Sequence, residues 1–125
     1  MTKPKVYKDS LLSISVSEDD EAITAVWSGK SIEREPGKFI TPLLTRLIRR
    51  CSERDKRLLL DFRSIDFMNS STITPIIKLL ERAKRGSSRM TVIYDSESKW
   101  QELISSALTI FSTDDDQVSL KGAKQ

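Results

Sequence analysis

Asp61-Phe62-Arg63-Ser64-Ile65-Asp66-Phe67-Met68-Asn69-Ser70-Ser71-Thr72-Ile73-Thr74-Pro75 joins an apolar run to an amphipathic one through a cluster of hydroxyl side chains. The residues before it, Arg57 to Phe62, contain Leu58-Leu59-Leu60, a continuous apolar run that reads as a strand buried on both faces. The residues after it run to about Arg85 with Ile76, Ile77, Leu79, Leu80 and Ala83 on one face, the pattern of a packed helix. Phe67 and Met68 are expected to anchor the connection in the core, so that Asn69, Ser70, Ser71 and Thr72 emerge together at the helix N-terminus. Free N–H groups and the positive end of the helix dipole make such an end receptive to a serine-borne phosphate. The same residue types are also preferred helix caps, and local chemistry alone accounts for them in that way.

A strand ending in aspartate, followed by Phe67-Met68-Asn69-Ser70-Ser71-Thr72 opening a helix, resembles the phosphorylation loop of STAS-domain proteins, the anti-sigma-factor antagonist group. The family loop usually reads Phe-Met-Asp-Ser-Ser-Gly, and its first serine is the one phosphorylated. The resemblance therefore implies Ser70 as the switch serine, with Ser71 and Thr72 as alternatives, and residues 67 to 72 as a partner-binding loop. Asn69 stands where the family has aspartate and Thr72 where it has glycine. The resemblance further implies an α/β, STAS-like single domain over residues 10–121, with a mixed β-sheet of about five strands and helices packed mainly on one side. It implies a regulator without catalytic residues or cofactor. Its partners would be a serine kinase and anti-sigma factor of histidine-kinase-like ATPase fold, and a metal-dependent serine phosphatase that resets the switch. A phosphoprotein regulator of another signalling enzyme, such as a cyclic-dinucleotide synthase, is an alternative, and a small-ligand-binding module is a further one.

Composition is compatible with these expectations. The chain has 125 residues, 38% hydrophobic and 31% charged, which suits one soluble globular domain with its own core. A formal charge of +3 is too mild a bias to imply nucleic acid. The absence of histidine removes the commonest general base and metal ligand, and with them hydrolytic triads and zinc sites of the ordinary kind. The single cysteine, Cys51, excludes an intrachain disulfide and lies on an apolar stripe, as a packed thiol would. No leader-like apolar segment follows the N-terminal charges, and no window is long and apolar enough to cross a bilayer. A cytoplasmic protein is expected.

Residues 1–9 read as a flexible tail. Leu12, Ile14 and Val16 alternate with serines, and Ile23, Ala25 and Trp27 alternate beyond an acidic turn, so Leu11–Val16 and Ala22–Trp27 predict a hairpin whose second strand ends at Ser28-Gly29-Lys30. Leu43, Leu44, Leu47, Ile48 and Cys51 predict a first helix starting at Thr41-Pro42 or earlier, near Pro36. Ile40-Thr41-Pro42 and Ile73-Thr74-Pro75 repeat one phrase, the same helix-start chemistry used twice. For the second, the helix begins either at Thr74, with Pro75 first in it, or near Ser70. Met90–Tyr94 predicts another strand. Ser98 and Gln101 form a capping-box pattern before a stripe of Trp100, Leu103, Ile104, Ala107, Leu108 and Phe111. Val118 and Leu120 suggest an edge strand, and residues 122–125 a second tail.

Asp61 and Asp66 are expected to shape the strand end and turn rather than to act as paired catalytic or metal-binding carboxylates. The basic runs around Arg46 to Arg57 and Arg82 to Arg89 are expected as solvated helix faces, with no aromatic interleaving to suggest a nucleic-acid surface.

Overall fold

The computed structural model describes residues 3–125. Element order is β1 (Lys5–Asp9), β2 (Leu12–Glu18), β3 (Ala22–Ser31), α1 (Gly37–Arg54), β4 (Arg57–Met68), α2 (Ser70–Arg85), β5 (Arg89–Asp95), α3 (Lys99–Leu108) and β6 (Val118–Ala123), with a short 3-10 turn at Thr109–Phe111. The sheet is six-stranded in the order β1-β2-β3-β4-β5-β6. The first two pairings are antiparallel and the next three parallel. It is the mixed α/β sheet that the sequence predicts, with one strand more.

Each parallel pair is joined through a helix, and successive right-handed crossovers in one direction stack those helices on the same face. Burial agrees. Ile14, Ile23, Ala25, Trp27, Leu58, Leu60, Met90, Val92 and Val118 point to the helical side and are buried. The intervening Thr24, Val26, Leu59 and Ile93 are only half-buried on the side without helices. Ile40, Leu43, Leu44, Leu47, Ile48 and Cys51 of α1 and Ile76, Leu79, Leu80 and Ala83 of α2 close the core above. Trp27 lies at its centre, fully buried, edge-on to Phe62 with ring centroids 4.9 Å apart.

The differences from expectation are local. Lys5–Asp9, read as part of a tail, pairs with β2 in register from Lys5 opposite Val16 to Asp9 opposite Leu12. The first two positions of that expected tail lie outside the described residues. At the other end β6 continues through Gly122 and Ala123. β3 does not stop at Gly29; it continues to Ser31, and Gly29 is required there because it holds φ +86° and a β-carbon would fall 2.0 Å from the Leu11 carbonyl oxygen. The two prolines take equivalent places, each the sixth residue of its helix, with helix starts at Gly37 and Ser70. Both helices therefore begin at the earlier of the alternatives. The apolar stripe of α3 is narrower than its sequence suggests. Leu103 is 74% exposed and Ala107 is exposed, whereas Trp100, Ile104 and Leu108 pack inward.

Candidate functional site

The site is built by the end of β4. Instead of stopping at Phe62, β4 continues to Met68 alongside β3, and it accommodates register shifts between Val26 and Ser28 and between Gly29 and Lys30. Opposite these short β3 steps β4 carries an extra residue each time, the signature of bulges that redirect a strand near its end. Their effect is visible in side-chain direction. Ile65 and Met68 are buried, while Phe67, expected in the core, is 48% exposed.

Gln101 holds the bulged segment in place. Its amide nitrogen donates to the carbonyls of Phe62 (2.9 Å) and Ile65 (3.1 Å), and its Oε1 accepts from the Asp95 N–H (2.8 Å). One buried side chain thus satisfies three backbone groups on β4 and β5. In the sequence Gln101 reads as half of a capping box with Ser98. Only the Ser98 half is present, since Ser98 Oγ is 3.5 Å from the Gln101 N–H while the glutamine side chain turns into the sheet.

Asn69 is the N-cap of α2. Its Oδ1 accepts from the Thr72 N–H (3.1 Å) and from the Thr72 hydroxyl (2.7 Å), and its Nδ2 donates to the Glu33 carbonyl (2.9 Å). Since Thr72 spends its only hydroxyl proton on Asn69, the 2.6 Å contact between Ser31 Oγ and Thr72 Oγ1 has Ser31 as donor. The Asn69 N–H returns to the Ser31 carbonyl (2.9 Å). Thr72, expected to emerge with its neighbours, is fully buried at the base of this network, and Asn69 is half-buried.

Ser70 and Ser71 are exposed at the first two positions of α2, where their N–H groups have no intrahelical acceptor. The basic residues Arg82, Lys84 and Arg85 lie in the last turn of the same helix, where they suit the dipole. Ser71 also lines a cleft of about 280 Å³ between the starts of α1 and α2, together with Arg34 and Lys78. Two apolar side chains near the loop in sequence are exposed, Phe67 three residues before Ser70 and Ile32 next to Glu33, whose carbonyl Asn69 tethers.

Asp61 and Asp66 do not come together. Asp61 points to the open face of the sheet, where it is ion-paired to Arg63 at 2.8 Å, and Arg63 also donates to the Lys124 carbonyl. Asp66 is an exposed strand residue. Among the described residues no group of three or more His, Cys, Asp or Glu is placed to hold a metal ion. No helix among them is long and apolar enough to cross a membrane. Burial, with Glu18 adding to it, pushes the Cys51 thiol up to about 11, the state of a packed thiol and not of a nucleophile.

No family model matches the sequence, and no curated protein matches it significantly. Solved structures do. An anti-sigma factor antagonist from Mycobacterium paratuberculosis superposes with a TM-score of 0.61 at 14% identity, covering 85% of this chain and 90% of that one. A DUF3478-family protein with a SpoIIAA-like fold from Shewanella loihica PV-4 superposes with a TM-score of 0.55 at 15% identity, covering 100% of this chain and 92% of its own. The described residues have a STAS-like fold.

Proposed function

We propose that this chain is a non-catalytic, protein-binding regulator switched by phosphorylation of Ser70. The observation that carries the reading is an exposed serine at the first position of α2, held over a cap that is itself anchored in the core. Three features support it. The two N–H groups at Ser70 and Ser71 and the helix dipole favour negative charge at this point. Phe67 and Ile32, on segments that flank or are tethered to the loop, are exposed apolar side chains of the kind a protein partner covers. The fold is shared with an anti-sigma factor antagonist, a regulator of protein partners.

The unmodified loop presents a neutral hydroxyl. Phosphorylation adds about two negative charges, which must be desolvated on docking or set against the partner's own acids. Binding is then switched off. The kinase that modifies Ser70 is a histidine-kinase-like ATPase serving as anti-sigma factor, so nucleotide and metal belong to it, and a metal-dependent serine phosphatase resets the loop. Ser71 is the neighbouring alternative, and Thr72, the further one, is buried and hydrogen-bonded to Asn69.

The test compares Ser70→Ala and Ser70→Asp for partner affinity. Ser70→Ala should retain binding and Ser70→Asp should weaken it by about tenfold or more, roughly 1.4 kcal/mol or above. Equal affinities would refute the switch.

A further inference from the structure

A second surface lies at the opposite end of the strands from Ser70, where β4 begins. Here β1 and β2 diverge from the C-terminal half of α1 and leave an open cleft of about 600 Å³. Its floor is apolar, with Val16, Ile23 and Leu47. Its walls carry Lys3 and Lys5 on one side and Arg46, Arg49 and Arg54 on the other. None of these five cations is in an ion pair among the described residues. Of the two acids that line the cleft, Glu18 is engaged by Arg50 (2.8 Å) and Lys56 (2.7 Å), and Glu53 is exposed. Arg46 and Lys5 instead both stand over the Tyr7 ring, each 5.5 Å from its centroid. So the cleft carries an excess of exposed positive charge over its two acids, Glu18 and Glu53, which favours an anionic occupant.

The same cleft is bounded by a free sheet edge. β1 pairs only with β2, and its outer backbone is open to another strand. The register sets what that strand would meet. Lys5 and Tyr7 lie opposite Val16 and Ile14 and face the cleft, whereas Val6 lies opposite Ser15 on the other face and is 54% exposed. An added strand with acids at every second position would aim them at Lys5, Arg46 and Arg49, while its alternate apolar residues would cover Val6.

We infer that the edge of β1 and the basic flank of α1 form a docking site for an extended acidic segment of a partner protein, taken up by strand addition with alternating acidic and apolar side chains. Peptide is favoured over nucleic acid because the floor is apolar, Glu53 stands at the rim, and a single aromatic ring is already occupied by two cations.

The probe is a fluorescein-labelled decapeptide of alternating Glu and Val, titrated onto the full chain at low salt with backbone amide shifts recorded in parallel. It should bind with shifts concentrated in residues 5–9 and 46–54, and the double variant Arg46→Glu/Arg49→Glu should weaken it by about tenfold or more. Two versions N-methylated at alternate residues separate pairing from simple charge attraction. One should lose binding and the other keep it, because only every second N–H faces the β1 edge. Equal binding of both, no binding of the parent peptide, or tighter binding of a single-stranded oligonucleotide would overturn the proposal. The Ser70→Asp variant should bind this peptide as the native chain does.

Discussion

Asn69 and Thr72, the two positions at which this loop departs from the Phe-Met-Asp-Ser-Ser-Gly pattern, are bonded to each other: the Thr72 hydroxyl donates to Asn69 Oδ1 at 2.7 Å. The departures are thus one device. An aspartate at position 69 could cap α2 but could not donate to the Glu33 carbonyl as Nδ2 does. A glycine at position 72 would leave the Ser31 hydroxyl without its buried partner.

Thr72→Val keeps the shape and removes the hydroxyl, orphaning the Ser31 donor inside the core. It should cost about 1 to 3 kcal/mol in denaturant unfolding. A double-mutant cycle with Ser31→Ala should show most of that cost as coupling, since the second change removes the orphan. Additive losses would mean that the hydroxyls do not act together.

Gln101→Leu is close to isosteric and removes partners from the Phe62 and Ile65 carbonyls and the Asp95 N–H. A loss of at least about 2 kcal/mol is expected. Hydrogen exchange should speed up along residues 62–68 before it does in α1, because the bulged end of β4 loses its clamp. Uniform acceleration would count against that role.

The Cys51 thiol, raised by burial first and by Glu18 second, should resist iodoacetamide at pH 8 in the native protein and react only after unfolding. A thiol whose folded value lies above its ordinary value near 9 contributes stability that is complete below pH 9 and is lost toward 11. About 2 to 3 kcal/mol should disappear over that interval. In Cys51→Ala this part of the alkaline slope should be absent.

Glu18 titrates in the opposite sense. The Lys56 ammonium, with Arg50 beside it, holds its carboxyl below the usual value near 4.5. Its contribution is present above pH 4.5 and falls away as pH drops through the lowered folded value. Glu18→Gln should cost about 1 kcal/mol near neutrality and progressively less in acid. An equal cost at pH 7 and in acid would show that charge is not the cause.

What the sequence revealed follows the strength of its patterns. Leu58-Leu59-Leu60 and the stripes of α1 and α2 carry strong periodicity, and they define the parallel half of the sheet and the helices over it. β1 has no such pattern, because an edge strand facing solvent can use Lys5, Val6 and Lys8 without burying them, and so it looks like a tail. The continuation of β4 past Phe62 was hidden for a related reason. Bulges break the alternation by which a strand is recognised, leaving Arg63, Ser64 and Asp66 to read as a loop. Thr72 and Gln101 read as caps in the sequence because polar residues near helix starts serve as caps by default, whereas their partners Ser31 and the β4 carbonyls lie 41 and 36 to 39 residues away. For Ser70 and Ser71 the reading of an exposed helix start agrees with the fold.

The most direct measurement of the switch is phosphopeptide mapping of the protein isolated from its native cells through growth and stress. Trypsin releases Ser64–Lys78, which contains Ser70, Ser71 and Thr72 together, and fragmentation resolves them. Phosphate on Ser70, varying with condition, is the expected result. A loop that stays unmodified throughout, or one modified only away from Ser70, would contradict the assignment of Ser70 as the switch.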